Sequence, residues 1–88
     1  SFHPVDGNGE KSENQFVRNG DKDGKAYYAV FNYMDQELKM TTALERLGLD
    51  SSKEYRLKEL WSGIESTAKT NLDVTVPAYD VAIFKVEE

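Results

Sequence analysis

The chain has 88 residues, room for one compact unit, and its 39% hydrophobic and 11% aromatic content suffices for a core. Eleven Lys and Arg against sixteen Asp and Glu leave a net charge of −5, which opposes binding to a phosphate backbone and argues against nucleic acid as a partner. The absence of cysteine excludes disulfides, thiol nucleophiles and cysteine-ligated zinc. The longest apolar run, Ala26 to Phe31, is far too short to span a bilayer, so no membrane insertion is expected. No basic, apolar and small-residue series opens the sequence, so a secretory leader is not expected within it.

Composition changes along the chain. Residues 1–25 hold four apolar side chains (Phe2, Val5, Phe16, Val17) and four of the six glycines, so residues 1–14 read as a flexible lead-in and residues 15–88 as the folded domain. Gln15 to Arg18 is a weak strand, with Asn19-Gly20 and Asp21 to Gly24 turning the chain into a hairpin. Ala26 to Tyr33 is aromatic and β-branched on both faces, as a central strand covered on both sides would be. Leu38, Met40 and Thr42 alternate with Lys39 and Thr41. Leu44 and Leu47, three apart and followed by Gly48, predict one helical turn closed by a left-handed glycine.

Alternation over Lys53 to Trp61 predicts a strand that ends at Ser62-Gly63 and carries Tyr55, Leu57, Glu59 and Trp61 on one face. Thr67 to Thr70 is a candidate short strand, Leu72 to Val76 a strand ended by Pro77, and Asp80 to Val86 the last. Six or seven short strands separated by turns indicate an all-β, antiparallel sandwich or barrel. Phe31, Trp61, Val76, Ile83 and Phe84 are the expected structural core.

The sequence offers little for chemistry. His3 is the sole histidine and has no partner set for a nucleophilic triad or a metal site. Asp6 to Glu10 and Asp21 to Gly24 imitate calcium loops but lack the glycine and the bidentate glutamate that such loops need, so both read as turns. No glycine pattern follows a strand and opens a helix, which leaves no phosphate-cradling loop. No catalytic residue, metal site or cofactor is expected. Glu59, placed on an apolar face, demands a partner such as a cation or backbone N–H groups. Exposed aromatics could stack on sugars, with Tyr28, Tyr33 and Tyr79 the candidates for such a platform.

Ala29-Val30-Phe31-Asn32, Leu47-Gly48-Leu49, Glu59-Leu60-Trp61-Ser62-Gly63 and Val74-Thr75-Val76-Pro77-Ala78 occur in one order before an apolar last strand. Over about residues 15–86 this resembles the C-terminal domain of α-galactosidases, the melibiase type of glycoside hydrolase. Glu59 and Ser62 stand where that family usually has Asp and Thr, and Ala78-Tyr79-Asp80 replaces its Pro-His-Gly. The resemblance implies a small antiparallel Greek-key β-sandwich that follows a catalytic (β/α)₈ barrel in the same polypeptide. It implies a non-catalytic accessory domain, monomeric in isolation, because the family's nucleophile and acid/base belong to the barrel. A carbohydrate-binding module using surface aromatics is the alternative function. Bacterial members of such a family can be secreted or periplasmic, and the sequence leaves localisation open.

Overall fold

The computed structural model describes residues 2–6, 13–19 and 25–88. Eight strands follow in chain order: β1 (His3–Pro4), β2 (Gln15–Asn19), β3 (Ala26–Phe31), β4 (Leu38–Ala43), β5 (Glu54–Glu59), β6 (Glu65–Lys69), β7 (Asn71–Val76) and β8 (Val81–Glu87). A 3-10 turn, Leu44–Leu47, lies between β4 and β5. All pairings are antiparallel, in the order β1-β2-β3-β8-β5-β6-β7-β4. β6 and β7 touch through a single register pair, Lys69 with Asn71. There the sheet folds over, and β4–β7 packs across the inner face of β2-β3-β8-β5 as the second layer of a sandwich.

The core lies between these layers. Val17, Tyr28, Val30, Tyr55, Leu57, Ala82, Phe84 and Val86 come from one side, and Leu72, Val74 and Val76 from the other. Leu44 and Leu47 close one end from the 3-10 turn. Their alternation along each strand is what a period of two demands of a half-buried sheet. One polar knot ties the layers at mid-height: the Tyr28 hydroxyl donates to Gln15 Oε1 at 2.6 Å and Thr42 Oγ1 donates to the same oxygen at 2.9 Å. Burial pushes the Tyr28 phenol above its ordinary pKa, against the lowering influence of the Thr42 hydroxyl and Arg46, so it stays a neutral donor.

The expected strands and the helical turn are present, with three differences. Residues 2–6, within the expected lead-in, join the sheet: His3 pairs with Val17, Pro4 with Phe16, and Val5 packs against the core. The strand expected over Lys53 to Trp61 ends at Glu59, and Glu65–Lys69 is a full partner of β5. The turn over Gly20 to Gly24 and most of the first calcium-like loop lie outside the described residues.

Gly48 caps the 3-10 turn at φ 77°, and its N–H groups the last carbonyls by donating to Glu45 O. A Cβ at this position would sit 3.0 Å from Asn19 Nδ2. Gly48→Ala combines a left-handed penalty with that crowding, for a cost of about 1–2 kcal/mol. Thermal unfolding of the variant is expected to fall by roughly 4–8 °C per kcal/mol for a domain of this size. An unchanged midpoint would contradict the cap.

Candidate functional site: an apolar face and the turns at one pole

Strand direction brings three connections to the same pole of the sandwich: residues 32–37 after β3, 60–64 after β5 and 77–80 after β7. Two polar side chains fasten them. Asn32 is buried, and its Nδ2 donates to Gln36 O, Val76 O and Pro77 O at 2.7–3.2 Å while its Oδ1 accepts from Met34 N at 3.0 Å. The Asn32 N–H donates to Asp80 O and the Tyr79 N–H to Met34 O, so the first and third connections are stitched together.

Glu59 fastens the second. Its Oε1 accepts from Trp61 N and Ser62 N, and its Oε2 accepts from Ile83 N on β8 at 2.9 Å. Burial works against the charged carboxyl, but the hydrogen bonds from Ile83, Ser62 and Trp61 outweigh it and hold its pKa below the usual carboxylate range. The partner of this acid is therefore a set of backbone N–H groups.

At this pole the turns expose Tyr33, Met34, Leu60, Trp61, Ile64 and Tyr79. The expected core position of Trp61 is corrected: β5 stops at Glu59, the carboxylate turns the chain, and the indole is 72% exposed. The placement of Tyr28 in a sugar platform is corrected as well, since the ring is fully buried at 0%. Tyr33 is exposed, but its ring stacks on Phe31 at 6.2 Å and its hydroxyl donates to Glu13 O. Tyr79 is exposed at a turn with φ 54°, which a non-glycine residue rarely adopts. The three tyrosines thus form no common platform. Val76 and Phe84 are in the core, whereas Phe31 and Ile83 are half-buried on the opposite face of the sheet.

That opposite face is divided in two. Phe31 pairs with Val81, and in the next row Phe16 pairs with Ala29 and Ala29 with Ile83. Phe16 and Phe31 meet edge to face at 5.8 Å, continuing to Tyr33 at the pole. Farther from the pole the register turns polar, through Arg18, Tyr27, Lys85 and Lys58, then Arg56 and Glu87. Among the described residues no second layer covers the apolar half. Alternation in β3 and β8 marked both faces as apolar, but the weak strand β2 gave no hint that Phe16 would complete the patch.

No group of three or more His, Cys, Asp or Glu able to hold a metal occurs among the described residues, and no described helix is long and apolar enough to cross a membrane. Sandwich and fastened turns define an antiparallel β-sandwich domain. A family model described as the alpha galactosidase C-terminal beta sandwich domain matches residues 14–86, and the chain belongs to that family. A probable alpha-galactosidase A of Aspergillus terreus is 30% identical over 63 residues, 72% of this chain and 12% of that protein. Alpha-galactosidase I of Mortierella vinacea has a similar fold, with a TM-score of 0.72 at 22% identity over 82% of this chain and 20% of its own. A GH27 β-L-arabinopyranosidase of Geobacillus stearothermophilus does so over the whole chain, with a TM-score of 0.74 at 17% identity over 20% of its own length. The chain therefore spans about an eighth to a fifth of these proteins.

Because Trp61 is exposed, Trp61→Ala is expected to change stability by no more than about 0.5 kcal/mol, against the ~3–5 kcal/mol of a core tryptophan. Chemical denaturation of the two proteins checks this. Glu59→Gln should behave differently. A carboxyl whose folded pKa is depressed contributes stability above its ordinary value of about 4.3, and loses it as pH falls through the folded value. The variant should be less stable than the parent at neutral pH, with the gap closing on acidification. A gap independent of pH would show that the charge is irrelevant.

Proposed function

We propose that this chain is a non-catalytic accessory domain that docks on the catalytic barrel of its own polypeptide and stabilises or orients it, with the parent a glycoside hydrolase of α-galactosidase type. The observation that carries the reading is the apolar half-face of Phe16, Phe31, Val81 and Ile83, half-buried around the buried Ala29 and bordered by Tyr33. An aromatic and aliphatic strip on the outside of a sheet is disfavoured in water, and covering it is what a neighbouring domain would do. Contacts of this kind bury on the order of 600–1,500 Å². Membership of a C-terminal domain family, and the small share of its relatives that the chain spans, support a barrel as the occupant. The charged rows of Arg18, Lys58, Arg56 and Glu87 set the limit of the contact.

Phe31→Gln with Ile83→Gln tests the assignment in the polypeptide that carries this domain. The double variant should lower the thermal inactivation temperature of α-galactoside hydrolysis by several degrees, while the isolated chain melts close to its unmodified counterpart. Equal losses in both settings would make the face an internal structural feature and not a docking surface.

A further inference from the structure

A cleft lies beside the docking face and meets it at Val81. Beyond their one register pair β6 and β7 diverge, and the opening between the β5–β6 turn and β7–β8 forms a cavity of about 800 Å³. Its apolar walls include Trp61, Ile64 and Phe84, and its polar groups come from Glu59, Ser62, Ser66, Asp73, Thr75 and Asp80. From these residues we propose that the cleft binds a neutral pyranose sugar, with the Trp61 indole as its stacking platform.

The chemistry of the lining selects that class. A pyranose presents an apolar C–H face to an aromatic ring and a rim of hydroxyls to hydrogen-bonding groups, and the cleft offers one ring and several such groups. The ring is the chain's sole tryptophan. Asp73 Oδ1 accepts from Thr41 Oγ1 at 2.6 Å, and Asp80 Oδ1 accepts from Val81 N at 2.8 Å. Each carboxylate thus has one oxygen fixed in orientation and a second able to accept from vicinal sugar hydroxyls. Among the described residues no Lys or Arg lines the cleft, and its carboxylates oppose uronic acids and sulfated or phosphorylated sugars. The Glu59 bonds to Trp61 N and Ser62 N fix the backbone of the turn that carries the indole. Phe16, Phe31 and Ile83 of the docking face lie on the other side of the β3–β8 sheet, and Val81 stands at the border of the two surfaces.

Titration with raffinose, following Trp61 emission and the heat of binding, tests the proposal on the isolated chain and on the polypeptide that carries it. Saturable quenching or a blue shift in both settings is expected, with the calorimetric affinity weakened about tenfold, or 1.4 kcal/mol, in Trp61→Ala. Asp73→Asn should weaken binding as well, while both variants keep the parent melting temperature. Emission unresponsive to raffinose, or equal affinity in Trp61→Ala, would overturn the assignment. Response in the isolated chain alone, with Trp61 already blue-shifted in the longer polypeptide, would also overturn it, because the barrel would then occupy the cleft. The docking reading stands or falls separately, on the Phe31 and Ile83 variants.

Discussion

The side chain of Asn32 is the tie on which the working end of this domain depends. It lies at the exit of β3, buried, and donates to Gln36 O in its own connection and to Val76 O and Pro77 O where β7 ends, while accepting from Met34 N. Each carbonyl it reaches would otherwise be a poorly solvated acceptor next to the core, and a buried polar group without a partner costs about 1–3 kcal/mol. A shorter side chain or an apolar one would release the 32–37 and 77–80 connections together. Glu59 does for the 60–64 turn what Asn32 does for the other two, with a charge that draws in three backbone N–H groups. Two short polar side chains thereby define where six large apolar residues meet water.

That arrangement gives Phe31-Asn32 and Glu59-Leu60-Trp61 their place in the structure. They are hinges of the pole and not lining of the core. It also accounts for the two surfaces. The half-face of β2, β3 and β8 is apolar because the strands of the first layer are paired on both sides of Ala29 and carry large residues outward as well as inward. The cleft exists because β6 and β7 part after one pair, leaving the sandwich open on that flank. The two surfaces are thus different consequences of the same topology.

Among the ion pairs, Lys53 with Glu88 and Arg56 with Glu87 join β5 to the end of β8, and Arg46 holds Asp6 near β1. All have largely exposed members, where screening by water leaves little net stabilisation. The fold therefore rests on burial between two layers and on the few internal polar ties, of which Tyr28, Gln15 and Thr42 form the deepest.

Alternation along Leu38–Ala43, Asn71–Val76 and Val81–Glu87, and Leu44, Leu47 and Gly48 at the 3-10 turn, were legible in the sequence because each is a local rule: a period of two, or a positive φ that glycine adopts. The all-β class and the family resemblance followed from the same residues. Alternation sets faces but not neighbours, so it could not show that β8 lies between β3 and β5, or that Phe16 would meet Phe31 on the outside. Nor could it separate Trp61 from the core, since the strand rhythm continues through Glu59 and only the carboxylate bonds to Trp61, Ser62 and Ile83 show that the strand has ended. Tyr28 and Tyr79 have the same composition and opposite fates, one fully buried and one 73% exposed. Side-chain type and periodicity were properties of the sequence; which apolar residues face solvent, and which surfaces are left to bind, was decided by the pairing of strands far apart in the chain.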